Sequence, residues 1–472
     1  MQIYFLGIGG TAMGNLAVLL QSQGHKVCGS DQKLYPPMSD LLAENRIDTY
    51  KGYSAQRLEA LSPDLVVIGN VIARGNEEVE WLLDHKKIPY CSLPELIHQK
   101  IIGNRDAIVI TGTHGKTTTA TLLTYLLSIN HCDPGYFIGG IPLNFPSGGY
   151  YGKTNGPFII EGDEYDSAFF DKRSKFIHYS PKILLINNIE LDHLDIFRDL
   201  HDIQRTFSHA IKLVPSGGCI IANGDSEAIR ELLPVPWTKT IFVGKSNGND
   251  FIIEDEKLTP QDTTFSLIGN TTKIPIWSPL FGGHNVRNVA MAIVAAQQYL
   301  GRDLNIDLSH FKGIKKRQEV IFHSQNTIII EDFAHHPTAI QETIRAVRQA
   351  FPEYQLITTF EPRSNTACSD CFQEGFVGAF MGSHEVYIAE VYKNKTQCLD
   401  THKLAQDIRY CPAHPIDIDG IKATFPRKID RKKQVFLFLS NGDFSNVAQH
   451  LKDSVNSGLP RKKIGLASGP YE

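Results

Sequence analysis

The sequence predicts an α/β protein of three domains, on three observations. Apolar strand-like runs alternate with helix-like segments along nearly the whole chain, the pattern of mainly parallel sheets flanked by helices. Two strand–helix junctions, at 7–12 and 112–116, are glycine-bearing turns of the kind that receive phosphate groups. The length, 472 residues, suits roughly three domains of about 150 residues each. The blocks fall at 1–103, 104–316 and 317–472, the first and third Rossmann-like and the second built on the phosphate-loop strand.

A hydrophobic content of 42% supplies buried cores, and a net charge of −4 gives no reason to expect nucleic acid or an anionic membrane as partner. No apolar run approaches the roughly 20 residues of a membrane span. The chain opens on a strand pattern with no basic leader or cleavage site, so a cytoplasmic protein, monomeric or weakly homo-oligomeric, is the expectation. Eight cysteines in so long a chain do not make a disulfide framework. Cys368 and Cys371 form a lone C-x-x-C that Cys398, His402, Cys411 and His414 do not complete at a zinc-like spacing, so reduced thiols are expected.

In the first block, a strand at 3–6 ends in Gly7, Gly9, Gly10, Thr11 and Ala12, a G-x-G-x-x-A turn into a helix from Met13 to Gln23. A second strand at 26–29 ends in Ser30-Asp31, and a third at 65–68 ends in Gly69-Asn70. This is a dinucleotide-type layout, with an acidic residue after the second strand to meet a ribose. A glycine-tightened corner without a ligand carries the same signature.

In the second block, a strand at 108–111 runs into Gly112, Thr113, His114, Gly115, Lys116, Thr117 and Thr118, then into an apolar-striped helix. Glycines let backbone N–H groups turn inward around phosphate oxygens, and the helix N-terminus adds partial positive charge. Lys116 can reach the β- and γ-phosphates, and the Thr117 hydroxyl can hold Mg²⁺. The spacing departs from G-x-x-x-x-G-K-[ST], because Ile110 stands where the first glycine belongs. A strand at 158–160 leads to Glu161, Asp163, Glu164 and Asp166, natural Mg²⁺ ligands beside such a loop, with Glu161 foremost. A strand at 183–186 leads to Asn187, Asn188, Glu190, Asp192 and His193. His193 can bind metal, orient a reacting group, or be only solvated or hydrogen bonded. After a Gly/Asn-rich stretch of short strands at 244–277, His284 and Asn285 open an Ala-rich helix as caps. Asn288 lies one turn on, where it can read the edge of a nucleobase.

In the third block, a strand at 327–330 leads to Glu331-Asp332 and the turn His335-His336-Pro337, with Pro337 opening the next helix. Asp332 can accept from ribose hydroxyls. Further strands lie at 355–358, 385–388 and 435–439, and Arg363 with neighbouring Ser364 is placed to meet a phosphate or carboxylate. The tail from Gly458 is polar and reads as loosely ordered.

Taken in order, these motifs resemble the Mur ligase family, the ATP-dependent amide ligases of bacterial cell-wall synthesis. The resemblance covers essentially the whole chain: the 7–14 glycine turn, the 111–118 loop, Asn188-Ile189-Glu190-x-Asp192-His193, Gly283-His284-Asn285-x-x-Asn288 and Asp332-x-x-His335-His336-Pro337. It implies ATP and Mg²⁺ as cofactors, with the ATP phosphates on Gly112–Thr118. Thr117 and Glu161 would hold one Mg²⁺, and His193 a second one unless it acts as base on the incoming amine. Lys116 and Arg317 would serve the transferring phosphoryl group. His284, Asn285 and Asn288 would face the adenine, with Asp332 at the ribose and His335 beside it. The first block would hold the UDP end of UDP-N-acetylmuramate through Gly7, Gly9, Gly10, Thr11, Asp31 and Asn70. The third block would complete the ATP site and hold a peptide through Arg363 and Ser364.

Within the family, the 161–176 segment resembles the branch that joins the murein tripeptide L-alanyl-γ-D-glutamyl-meso-diaminopimelate to UDP-N-acetylmuramate in peptidoglycan recycling. It resembles less the branch that adds L-alanine. Several members carry a carbamylated lysine in the helix after the Asp-His motif, but 202–211 contains no lysine, so none is expected here. Two other readings bind nucleotide differently. An NAD oxidoreductase would leave the phosphate loop unexplained, and an ATP-hydrolysing binding module would turn over ATP without either cell-wall substrate.

Overall fold

The computed structural model describes residues 1–457 except 36–37, 192–196, 260–261, 270–271, 364–366, 391–397, 430–431 and 443. His193, Ser364 and the tail from Gly458 therefore lie outside the described residues. The chain divides into two compact units, Met1–Lys315 and Lys316–Glu472. The first unit carries two large sheets and the second unit one, so the α/β expectation holds throughout.

The first sheet is wholly parallel, in the order Asp48–Lys51, Lys26–Asp31, Gln2–Leu6, Leu65–Ile68, Tyr90–Ser92. Its central strands are buried on both faces, which is why they read as unbroken apolar runs. The strand order reverses beside Gln2–Leu6, and the glycine turn leaves that strand at the carboxyl edge, the usual place for a ligand. The sheet is pinned by a buried carboxylate. Glu78, fully buried near the start of helix Glu77–His85, accepts from the Tyr4 hydroxyl at 2.8 Å, the Ser30 hydroxyl at 2.6 Å and Arg57 Nη2 at 3.0 Å. One residue thus ties two strands and two helices, and its charge is compensated by a guanidinium and hydroxyls.

The second sheet has ten strands. Its parallel heart runs Gly135–Phe137, Phe158–Gly162, Ala107–Thr111, Pro181–Ile186, Cys219–Asn223, Lys239–Gly244. The 244–277 region continues it as Phe251–Leu258, Thr263–Ile268 and Lys273–Ser278, the last two pairings antiparallel. The outermost strand, Lys273–Ser278, carries Pro275 opposite Ser266. Helices Lys116–Ile129 and Gly283–Leu300 share one apolar core on this sheet, in which Leu122, Leu126, Val289 and Ile293 are fully buried. The helix after the Asp-His motif is Leu200–Lys212, which runs one residue past the end of the stretch read for lysine, and its Lys212 is exposed in the last turn.

The third sheet runs Glu319–His323, Thr327–Asp332, Gln434–Leu439, Gln355–Phe360, Glu385–Ala389, Ala413–Ile416, all parallel after the first pair. Asp332, Leu439 and Phe360 stand in register, so the segments that follow them emerge side by side. Cys28, Cys91, Cys132, Cys219, Cys368, Cys398 and Cys411 are free thiols. Among the described residues, no helix is long and apolar enough to cross a membrane.

Candidate active site

The site is assembled by register. The phosphate-loop strand lies between Phe158–Gly162 and Pro181–Ile186, with Thr111 opposite both Gly162 and Ile186. Three carboxyl ends therefore converge, bringing together the 112–118 loop, the acidic segment from Glu161 and the Asn187–Glu190 segment.

The loop glycines do what only glycine can. Gly112 and Gly115 have φ of +133° and +81°, and a Cβ on Gly115 would sit 2.6 Å from Asn288 Oδ1. Asn188 fastens the loop from the next strand, its Oδ1 accepting the His114 backbone N–H at 2.8 Å. Glu190 N–H donates to the Thr113 hydroxyl at 3.0 Å. Lys116 opens the helix and folds back, donating to the Gly112 carbonyl at 2.7 Å and to Glu164 Oε2 at 2.9 Å. Burial alone would depress its ammonium, but Glu164 and Asp163 overcome that and hold its pKa above the usual lysine range.

Thr117 donates to Glu161 Oε2 at 2.9 Å, and the Gly139 backbone N–H donates to Glu161 Oε1 at 2.6 Å. Burial and the nearby Asp163 raise the Glu161 carboxyl against the pull of Gly139, Thr117 and Lys116. A hydroxyl and a carboxylate brought together at the head of a phosphate loop are a hard-oxygen pair that fits Mg²⁺, whose charge would lower the Glu161 pKa again. The open glycine turn and Lys116 likewise fit polyphosphate. Thr118 is buried in the first turn of the helix.

At the second helix, His284 is partly buried, and burial with the charge of Arg287 pushes its pKa down to about 4. Asn285 and Asn288 are 5% and 6% exposed, and their amides are engaged inward. Asn288 lies beneath Gly115 rather than open to a base.

In the first sheet, Gly7 takes φ +84° and its N–H bonds Ser30 O at 2.8 Å. Asp31 closes on the turn, accepting from Gly9 N–H at 2.9 Å. Gly10 caps helix Thr11–Ser22, while Thr11 and Asn70 are exposed at the same strand edge.

The second unit is described by itself. Asp332 is 7% exposed and accepts from Gln318 N–H at 2.8 Å, Ala334 N–H at 2.8 Å and the Thr343 hydroxyl at 3.2 Å. Burial raises its pKa, against Arg317. Arg317 lies 4.4 Å over the Phe333 ring, between Lys316 and Gln318, which both adopt positive φ. His335 contacts Phe333 O through Nδ1 at 3.0 Å. Arg363 is exposed and lies against Gly442, whose carbonyl accepts from Lys316 Nζ.

The sequence reading took Glu164 only as a Mg²⁺-ligand candidate, not as the partner of Lys116, and gave no role to Asn187 or Asn188. The signal for the last two was present, two amides directly after a buried strand. That for Glu164 needed the strand order.

An α/β protein with a phosphate loop, an acidic strand end beside it and a glycine turn on a separate parallel sheet is a nucleotide-using enzyme of modular build. The chain belongs to the Mur ligase family. Residues 2–103 match the Mur ligase family catalytic domain and residues 110–296 the Mur ligase middle domain. It is 37% identical over 470 residues to the UDP-N-acetylmuramate–L-alanyl-γ-D-glutamyl-meso-2,6-diaminoheptandioate ligase of Escherichia coli K12, covering 98% of this chain and 99% of that one. It is 30% identical over 402 residues to the UDP-N-acetylmuramate–L-alanine ligase of Endomicrobium trichonymphae, covering 84% and 86%. A crystal structure of a murein peptide ligase from Psychrobacter arcticus superposes with a TM-score of 0.73 at 31% identity, covering 98% of this chain and all of that one.

Proposed function

We propose that this protein is an ADP-forming amide ligase that joins the lactyl carboxylate of UDP-N-acetylmuramate to the α-amine of L-alanyl-γ-D-glutamyl-meso-diaminopimelate, in peptidoglycan recycling. The observation that carries the choice of acceptor is the end-to-end likeness to the tripeptide ligase of Escherichia coli, against a shorter and weaker likeness to the alanine ligase. In this reading 1–103 holds the UDP end, 104–316 the ATP, and 317–472 the peptide.

A free carboxylate acylates poorly. Attack of its oxygen on the γ-phosphorus of ATP, with ADP leaving, gives an acyl phosphate. The neutral amine then adds to the acyl carbon, a proton is lost, and phosphate leaves as the amide forms. Mg²⁺ supplies charge neutralisation on the phosphate oxygens, and Thr117 and Glu161 would hold it. Lys116 would exchange Glu164 for the transferring phosphoryl group, where its charge acts in a partly dehydrated site. The backbone N–H groups of 113–117 would cradle the remaining phosphates. Arg317, steadied on Phe333, is the reserve cation for the phosphoryl group. His193 keeps the two roles the resemblance implies, a second Mg²⁺ ligand or the amine's base. Asp332 and His335 would stand at the ribose, Arg363 and Ser364 at a peptide carboxylate, and Asp31 would release Gly9 to meet the UDP moiety.

The deciding experiment is phosphate release from Mg-ATP and UDP-N-acetylmuramate with either L-alanine or the tripeptide as acceptor. Release with the tripeptide alone supports the reading. Release with L-alanine alone makes the protein an alanine-adding ligase.

A further inference from the structure

Beneath the phosphate loop, four buried polar side chains form an unbroken series. Asn187 Nδ2 donates to the Thr119 hydroxyl at 3.0 Å, and that hydroxyl donates to Asn288 Oδ1 at 3.3 Å. Asn288 Nδ2 donates to Asn285 Oδ1 at 3.1 Å, and Asn285 Nδ2 donates to the Phe281 carbonyl at 3.0 Å. Exposures are 3% for Asn187, 0% for Thr119, 6% for Asn288 and 5% for Asn285.

The direction of every bond follows from the far end. A carbonyl only accepts, so Phe281 O turns the Asn285 NH₂ toward itself. The Asn285 oxygen is then left for Asn288, and the Asn288 oxygen for Thr119. The Thr119 lone pair is left for Asn187. No amide in the series can flip without setting donor against donor or acceptor against acceptor, which costs about 1–3 kcal/mol for each unsatisfied group.

The series meets the loop at its two glycines, most closely at Gly115. A Cβ on Gly115 would lie 2.6 Å from Asn288 Oδ1 and 3.0 Å from Asn187 Nδ2, so the last loop glycine rests on two of its members. Asn187 also ties its strand end to the loop strand through its own N–H, bonded to Thr111 O at 3.0 Å, and its Cβ lies 3.0 Å from the Cβ position of Gly112.

We propose that Asn187, Thr119, Asn288 and Asn285 are positioning residues that act as one unit. They set the seat of the phosphate loop at Gly115, so that the start of helix Gly283–Leu300 controls polyphosphate affinity from below the loop. This rests on the reading of 112–118 as the phosphate site. It gives Asn288 a duty toward the loop in place of one toward the base.

The test is Mg-ADP binding by calorimetry, with thermal unfolding in parallel, on the full chain. Thr119→Val removes the central hydroxyl, and Asn285→Ala releases the far end two hydrogen bonds away. Each weakens Mg-ADP about tenfold, the scale of one lost hydrogen bond. The double variant is no weaker than the worse single, because both break the same series. Thr119→Ser, which keeps the hydroxyl, restores affinity. The proposal is overturned if Thr119→Val binds Mg-ADP as tightly as the unaltered protein while only its unfolding temperature falls. It is equally overturned if the two single effects multiply to about a hundredfold. If Thr119→Val does not fold, Asn285→Ala against Asn285→Gln reads the same loss. Lys116→Ala serves as control: if it too leaves Mg-ADP affinity unchanged, the phosphate-site reading itself has failed.

Discussion

Lys116 and Glu164 are locked together, Nζ to Oε2 at 2.9 Å, with side chains only 12% and 3% exposed. The loop lysine is therefore not waiting in solvent for a phosphate, and a carboxylate must be displaced before it can serve one. Removing one partner of a buried pair strands the other charge, at a cost of about 3–5 kcal/mol. Glu164→Gln is expected to lower the unfolding midpoint of the nucleotide-free protein by several degrees. That gap narrows with saturating Mg-ATP, which offers Lys116 a new anion. Scanning fluorimetry with and without nucleotide reads both effects, and an unchanged gap refutes the exchange.

Lys116→Ala removes the charge that acts on the transferring phosphoryl group. Turnover should fall at least about 100-fold, the usual loss for one preorganised electrostatic contact. Steady-state phosphate release measures it, and near-normal turnover would remove Lys116 from the chemistry.

Gly115→Ala places a methyl group where Asn288 Oδ1 stands, on a residue with φ +81°. The left-handed conformation costs about 1–2 kcal/mol for a residue with a Cβ, and the clash pushes the loop off its seat. The KM for ATP should rise at least about tenfold, by the 1.4 kcal/mol-per-decade rule, with a smaller effect on the KM for UDP-N-acetylmuramate. Equal rises in both would point to general misfolding.

The His284 imidazole has a pKa pushed down to about 4 from 6.5 by burial and by Arg287. Between those values the unfolded chain binds a proton that the folded chain refuses. Its contribution to stability is full above about pH 6.5 and is lost as pH falls through 4. Urea midpoints should drop between pH 6.5 and 4.5, and His284→Gln should flatten part of that slope. A slope the variant leaves unaltered would place the titration elsewhere.

Glu78→Ala strands Arg57, Tyr4 and Ser30 around an empty anion position. A loss of about 3 kcal/mol or more is expected from breaking so buried a pair, read as a lower urea midpoint. A change under 1 kcal/mol would mean water replaces the carboxylate.

The main strands and the phosphate loop were legible because their signals are local. Leu65–Ile68 is a short apolar run ended by glycine, and Lys116 follows its strand within five residues. Glu78 was illegible for the opposite reason. A glutamate in the first turn of a helix, beside Glu77 and Glu80, looks like a solvated charge answering the helix dipole. Only the packing of Tyr4, Ser30 and Arg57 around it, from as far as 74 residues away, makes it an internal ion. The pairing of Glu164 with Lys116 was missed likewise, because Lys116 opens a helix 48 residues earlier. Asn288 was seen, but the group its oxygen faces, the Thr119 hydroxyl, lies 169 residues earlier.

The outer strand Lys273–Ser278 bears on a different matter, the pairing of this sheet edge with another molecule. A ten-stranded sheet with an open border invites the strand of another molecule to dock on it. Here the border has no N–H to offer at Pro275, and it begins with the charge of Lys273, which is paired to Asp255 at 2.6 Å. A would-be eleventh strand meets a missing donor and an ion pair it would have to bury. This border of the sheet is therefore poorly suited to accept a strand from another molecule.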